Sequence, residues 1–402
     1  MTLTVLTDNQ IRSLLENLTV AELEGFRVAL ASALHEHSTG IQGDTPIHQQ
    51  PERVSIHNTT TGATTLFMPS CSSAGHGIKV ITLSSAANQS PTPAPPTITT
   101  TTIGNNNANA ITTPSTSTSK PVIPPTGAIT LFTPHGTPLG LLHARTLTAF
   151  RTALASLCLV QRRTAPIKTL VAFGCGEQAY WHVRLTLLSR AHEVQRVVFV
   201  NRRVSEGFRK VVERLKSWRE EGCEFMPVTR DEEGYEERVA QAVREADVVF
   251  CCTPSTEPLF DGRVLLGGAE EKGRLIVAIG SYTPEMREMP RELIERAVSG
   301  EGGEGDAGVV VVDTIDGALK EAGELIETSV RPEQLVELGE IVMLKRADNN
   351  TVSTKKGHLA QWLQTGNVIY KSVGVGLMDL SIGMHIIQFA KEKGVGTHVQ
   401  GF

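Results

Sequence analysis

The chain has 402 residues, 40% hydrophobic and 20% charged, with 38 Lys and Arg against 43 Asp and Glu. That length allows a sizeable core spread over two or three domains, and a net charge of −5 excludes a general attraction to nucleic acid or to an anionic membrane surface. The six cysteines (71, 158, 175, 223, 251 and 252) form no C-x-x-C pair and no Cys/His array at zinc spacing, so the expectation is a reduced, cytoplasmic chain without a metal. Asp8 interrupts the apolar start, against a secretory leader, and no apolar run reaches the ~18 residues of a membrane span.

Thr7 with Gln10, and Thr19 with Glu22, each fit a capping box followed by apolar residues at helical spacing, which predicts two helices at the start of the chain. Residues 64–84 read as two short strands around a turn. The stretch 85–125 has no aromatics and almost no charge. It cannot bury enough surface to offset its ordering entropy and is expected to be a disordered surface insertion. Residues 127–143 read as strand, Pro/Gly turn and returning strand, and 144–163 as a helix with Ala, Leu and Phe on its buried side. From 168 onward strands alternate with helices, the rhythm of βαβ units and a parallel sheet.

Within that rhythm "TLVAFGCGEQAYWH" (169–182) places a G-x-G-x-x-A turn between a strand and a helix. Gly174 permits the tight turn, Gly176 allows backbone to approach a pyrophosphate, and Ala179 is small enough for helix–strand packing. Glu177 and Gln178 open a helix whose free N–H groups and dipole favour an anion. A nucleotide-free strand–helix turn is the alternative. The next strand ends at Asn201-Arg202-Arg203, where an NAD site usually carries Asp or Glu. Without an acid, and with arginines, a 2′-phosphate is favoured, so NADPH is the expected coenzyme and NADH the second choice. Thr253 and Pro254 follow the apolar strand "DVVF" and lie where doubly wound sheets bind ligands; Cys251 and Cys252 read as core. His57, His76, His143 and His182 have no ligand spacing, and only His76, near Lys79, has a route to a substrate.

Several separated stretches together resemble the ornithine cyclodeaminase/mu-crystallin family: "RVSIHN", "LFMPS", "GIKVITL", "LTAFRTALAS", "GCGEQAYWH", "VNRR", "CTPSTEPLF", "AIGSYTPEMREM", "ALKEAGEL", "ELGEI" and "YKSVGVGLMDL". The resemblance implies an α/β fold: a Rossmann-type doubly wound domain (164–370) joined to an α/β substrate-binding and dimerisation domain (1–163), to which a C-terminal segment (371–402) returns. It implies a homodimer acting on a small imino or amino acid. It also implies a carboxylate pocket of Arg53, Lys79 and Arg151 with Met68 as a wall, and a nicotinamide-side segment of Ser372, Val373 and Gly374. The side-chain chemistry agrees, since a guanidinium fork matches a carboxylate and a lysine adds a point charge or a transferable proton. Arg151 also interrupts an otherwise apolar helix face. Asp379 reads as a structural cap or pair.

The sequence departs from the family's name-giving activity at one position. Cyclodeaminases carry an aspartate in "A-x-G-x-D-x-P", and Tyr282 stands there; the next carboxylate is Glu285. A phenol with a pKa near ~10 cannot serve as a carboxylate base at neutral pH. The form resembles instead the ketimine reductase branch. The expected activity is NADPH-dependent reduction of Δ1-pyrroline-2-carboxylate or Δ1-piperideine-2-carboxylate to L-proline or L-pipecolate, with Lys79 and Tyr282 as the catalytic side chains. The alternatives are an ornithine cyclodeaminase, an opine-type amino-acid dehydrogenase, or an NADPH-dependent small-ligand binding protein of mu-crystallin type.

Overall fold

A computed structural model describes residues 2–42, 45–46, 49–84, 126–218, 222–266, 272–299, 307–346 and 355–402. The stretch read as an insertion, 85–125, lies outside these residues. Two large sheets organise the rest. The first has seven strands in the order Thr397–Gln400, Thr2–Leu6, Pro138–His143, Thr126–Phe132, Gly75–Ser84, Ala63–Ser72 and Val54–Asn58. Its pairings are antiparallel except that of Thr2–Leu6 with Pro138–His143. The second has eight strands, all parallel, in the order Glu224–Thr229, Arg196–Asn201, Thr169–Phe173, Val248–Cys251, Leu275–Ala278, Val368–Lys371, Val310–Val312 and Leu335–Glu337. The strand order reverses direction between Thr169–Phe173 and Val248–Cys251, which makes the C-terminal ends of those two strands the switch point of a doubly wound sheet. Pro227 is tolerated in Glu224–Thr229 because that strand is an edge.

Both predicted capping boxes are present. Thr7 N–H donates to Gln10 Oε1 at 3.0 Å and Gln10 N–H returns to Thr7 Oγ1, while Thr19 N–H donates to Glu22 Oε2 at 2.8 Å. The strands of the 64–84 region run longer than expected, as Ala63–Ser72 and Gly75–Ser84. The strands not foreseen include Thr2–Leu6, Val54–Asn58 and Thr397–Gln400 in the first sheet and Leu335–Glu337 and Val368–Lys371 in the second. Val54–Asn58 does alternate apolar and polar residues but over five positions only, and it is exposed throughout.

The helix Ala144–Val160 is more central than a one-sided amphipathic helix. Of its residues only Arg145 and Thr148 are not buried, because it packs against the helices Val20–Thr39, Glu177–Ser189 and Gly376–Glu392 and also touches strands. Phe150 meets Phe26 edge-on at 5.4 Å and Trp181 edge-on at 5.3 Å. One apolar interior thereby runs from Leu6 and Phe26, under the first sheet, to Phe250 and Val311 in the second. At ~1.5–3 kcal/mol for each large side chain buried, this shared interior holds the two sheets at a fixed distance, and the functional side chains lie where they face each other.

Candidate active site

The glycine turn sits at the switch point. Gly174 leaves Thr169–Phe173 with φ +95°, and a Cβ there would lie 3.2 Å from Cys252 O and 3.3 Å from Thr253 Oγ1. Both the backbone conformation and the close strand approach favour glycine. A Cβ on Gly176 would meet nothing within 4 Å, and no side chain caps the helix Glu177–Ser189. Its first N–H groups therefore face open space with a positive dipole behind them. The Glu177 carboxylate turns elsewhere, to Arg12 at 3.2 Å and Arg214 at 3.3 Å; its contribution to the turn is its backbone. Ala179 is fully buried. Asn201 donates to Cys175 Sγ at 2.9 Å and accepts from Arg202 N–H at 2.9 Å, which ties the end of the second strand to the turn. Arg202 and Arg203 are exposed and in no ion pair with another described residue.

The second cluster is dry. Strand side chains alternate between faces, and along Gly75–Ser84 residues 75, 77 and 79 point inward. At Gly77 the helix Gly376–Glu392 packs close against the strand, since a Cβ there would be 3.2 Å from Leu380 Cδ1. That contact seats the helix over Lys79 and Met68, which are opposite each other in the strand pair and both buried. The helix brings Asp379, whose Oδ2 accepts from Lys79 Nζ at 2.6 Å and whose Oδ1 accepts from Arg151 Nε at 3.3 Å. Arg151 Nη1 also reaches Met378 Sδ at 3.2 Å. Lys79 and Asp379 each expose 2% of the side chain and Arg151 4%, so this is a buried triad of two cations and one anion. Burial, helped by Arg151 and Arg53, lowers the Lys79 pKa to about 8 against the pull of Asp379. Asp379, read from sequence as a structural residue, thus lies directly between two of the three cations of the expected carboxylate pocket.

Arg53 stands at the rim, within electrostatic reach of Lys79. Its Nη2 donates to Tyr282 O at 2.9 Å and pairs with Glu321 Oε2 at 2.5 Å. The Tyr282 phenol is half-buried, and burial raises its pKa against the pull of Arg53. His76 is corrected: it points to the face opposite Lys79, is exposed, and lies 3.3 Å from Pro134 O. His182 is structural. It is buried between Ser156 Oγ (2.9 Å) and Gln178 O (2.8 Å), and desolvation lowers its pKa to about 4. Cys251 is fully buried, and burial pushes both adjacent thiols well above the usual range, so neither is a nucleophile.

Sequence reasoning missed the groups that shape the strand ends. Glu288 is fully buried; Oε1 accepts from Thr253 N–H at 2.8 Å, and Oε2 accepts from Gly280 N–H at 2.6 Å and Ser281 N–H at 3.0 Å. It clamps the ends of two neighbouring strands, and burial raises its pKa to about 8. Lys371 donates to Ser281 O at 2.6 Å and pairs with Glu324 at 3.3 Å. Asp313 Oδ2 accepts from Ser372 Oγ at 2.7 Å and Gly374 N–H at 2.6 Å, and Oδ1 accepts from Val373 N–H at 3.2 Å. Gly374 then turns at φ +86°, where a Cβ would lie 3.1 Å from Arg151 Nη2. The Ser372–Gly374 segment is thereby pinned on one side by Asp313 and backed on the other by the buried triad. Glu285 is exposed. Among the described residues no helix is long and apolar enough to cross a membrane.

An eight-stranded parallel sheet with a glycine turn at its switch point, facing buried cations from a second sheet, defines the class: a Rossmann-type oxidoreductase. The chain belongs to the ornithine cyclodeaminase/mu-crystallin family, whose profile matches residues 112–393. It is similar to the Delta(1)-pyrroline-2-carboxylate reductase of Bacillus cereus, 27% identical over 277 residues that make up 66% of this chain and 71% of the relative. It is 26% identical to the ketimine reductase mu-crystallin of Mus musculus over 256 residues, 63% of this chain and 66% of the relative. Among solved structures, a Thermococcus litoralis Delta(1)-pyrroline-2-carboxylate reductase in complex with NADH and L-proline matches in fold with a TM-score of 0.67 and 19% identity, covering 98% of this chain and 100% of that one.

Proposed function

We propose that the chain is an NADPH-dependent reductase of a cyclic α-imino acid, Δ1-pyrroline-2-carboxylate or Δ1-piperideine-2-carboxylate, giving L-proline or L-pipecolate. The observation that carries the proposal is the convergence of Arg53, Lys79 and Arg151 on one region, a charge arrangement suited to an α-carboxylate. Residues 1–163 with 371–402 form the substrate side in this reading, and 164–370 the coenzyme side. The turn at Gly174 and Gly176 fits a pyrophosphate, with Glu177, Gln178 and Ala179 presenting their N–H groups. Arg202 and Arg203 extend into solvent where a 2′-phosphate would lie, with Asn201 holding the strand end beside the turn; Thr253, Pro254 and Ser372–Gly374 line the nicotinamide side. When bound, the coenzyme supplies the hydride that reduces the C=N bond.

The protein's own work is binding and proton placement. Arg151 and Arg53 orient the carboxylate, and Met68 forms an apolar wall. Lys79 holds a proton at Nζ that is released near pH 8, close enough to neutral to be handed on. Asp379 keeps that ammonium charged and in place. Tyr282 stays protonated, a neutral hydroxyl on the coenzyme side whose backbone carbonyl holds Arg53. Cyclodeamination fits less well, because Tyr282 offers no carboxylate, Glu285 faces solvent, and the Glu288 oxygens are committed to three backbone N–H groups. A homodimer accompanies the reading, supported by Val54 and Ile56, more than half exposed on an edge strand. The test is a turnover assay: NADPH oxidation with either imine, and no ammonia from L-ornithine with NAD⁺ or NADP⁺. Proline with stoichiometric ammonia from ornithine overturns the proposal. NADPH binding without turnover of any imine points to the ligand-binding alternative.

A further inference from the structure

Each cation of the pocket already holds an internal carboxylate, and the two arrangements differ in kind. Asp379 is fully buried and gripped by Lys79 and Arg151 together. Displacing it would strand an uncompensated charge in the interior, so it is a permanent member of the site. Glu321 is different. It ends the helix Ile315–Glu321, which follows the strand Val310–Val312 of the second sheet, its side chain is 23% exposed, and its Oε2 pairs with Arg53 Nη2. The same Nη2 donates to Tyr282 O, so Glu321 and a backbone carbonyl share one nitrogen of Arg53. A bidentate grip on an incoming carboxylate through the guanidinium edge that includes Nη2 therefore requires Glu321 to let go.

We infer that Glu321 is a substrate-displaced gate, an internal carboxylate that occupies Arg53 until the α-carboxylate of the substrate replaces it. The inference rests on Arg53 being a carboxylate ligand, as in the function proposed above. Three observations support it. Arg53 immediately precedes the strand Val54–Asn58 of the first sheet and Glu321 ends a helix that follows a strand of the second, and the neighbouring residues Glu52 and Lys320 form a second ion pair of reversed polarity. Residues 52–53 thus cross residues 320–321 as a two-pair strap over the rim of the cluster. Next to the strap, Gln50 Oε1 accepts from Leu377 N–H at 2.9 Å, two residues from Asp379, so the segment leading into Arg53 is tied to the helix that carries Asp379. Finally, Glu321 is a weakly held anion: burial, with Asp313 and Glu52 nearby, pushes its pKa up despite Arg53. The consequence is selectivity, because only a ligand with a carboxylate able to outcompete Glu321 opens the rim, while a neutral imine leaves it shut.

The experiment measures the affinity of the full chain, with saturating NADPH, for pyrrole-2-carboxylate, a planar mimic of the imine, by calorimetry. The variants are Glu321→Gln, Arg53→Ala and the double variant, with thermal unfolding of each. Removing the competitor should tighten binding about threefold to tenfold, Arg53→Ala should weaken it, and the gain from Glu321→Gln should vanish in the Arg53→Ala background. Glu321→Asp, one methylene shorter, should shift affinity in the same direction and serves if the Gln variant unfolds early. Unchanged or weaker binding by Glu321→Gln, with Arg53→Ala still weakening, overturns the gate and leaves the proposed function standing. No response to Arg53→Ala, or no binding of the probe by any form, overturns both the gate and the carboxylate reading beneath it.

Discussion

The two halves of the site are built on opposite principles. The glycine turn is made of backbone: Gly174 for its conformation, Gly176 for open space, an uncapped helix start, and two exposed arginines that pair with no other described residue. The Lys79–Asp379–Arg151 cluster is made of side chains with almost no water access, gathered from a strand and two helices. The first half tolerates solvent because N–H groups and the helix dipole are fixed by the fold itself. The second half works only if every charge is answered, because in a low-dielectric interior an unpaired ion costs far more than at the surface. Substitutions should therefore be severe and structural on one side, graded and coenzyme-specific on the other.

The sharpest break is Asp379→Ala. It leaves Lys79 and Arg151 buried without a counter-charge and should destabilise the fold by ~3–5 kcal/mol, read as a lower urea midpoint with an unchanged slope; retention of full stability would show that the triad is hydrated. Arg151→Ala comes next. It should reduce kcat/KM for the imino acid by ~2–5 kcal/mol of transition-state binding while leaving the Kd for NADPH unchanged, and a change below about threefold would remove Arg151 from the carboxylate pocket.

A pH profile tests the same half more gently. Lys79 has its pKa lowered to about 8, so its proton is fully present below that value and lost as pH rises through it. The imino-acid kcat/KM should fall above pH 8, and Lys79→Met should abolish that limb together with most of the activity; an alkaline limb that survives the substitution assigns it to another group. On the coenzyme half, Arg202→Ala should narrow the preference for NADPH over NADH by roughly tenfold, with imino-acid binding untouched. Equal use of both coenzymes by the unaltered chain would show that the exposed arginines are solvated charges only.

The coenzyme half was the more legible in sequence because it is local: a strand, two glycines and a helix within fourteen residues carry their own geometry, and Asn201-Arg202-Arg203 ends the next strand. The capping boxes at Thr7 and Thr19 were legible for the same reason. In the substrate half, Arg151 was suggested by its intrusion into an apolar helix, but Lys79 and Arg53 were visible only through the family resemblance. Asp379 pairs with residues 228 and 300 positions away, and nothing within its own helix reveals that it meets two cations. Glu288 went unseen because its partners are backbone N–H groups, which leave no mark in a sequence. The only local hint is an acid in the loop that follows a Gly-Ser strand end. The strand Thr2–Leu6 does alternate, but its partners begin at residues 138 and 397, so no local signal shows what it pairs with.

The 300-residue separation of Lys79 and Asp379 also has a meaning in time. Chains are synthesised from the N-terminus at ~5–20 residues per second, so roughly 15–60 s pass on the ribosome between the addition of the lysine and that of its counter-ion. For the last 228 of those residues, once Arg151 has been added, the strands Ala63–Ser72, Gly75–Ser84 and Thr126–Phe132 can pair, but the pocket they will line holds two positive charges and no partner. An early collapse would have to bury them bare. Closure around Lys79 and Arg151 before the helix Gly376–Glu392 has been added would leave two buried charges unanswered, so the cluster disfavours early closure.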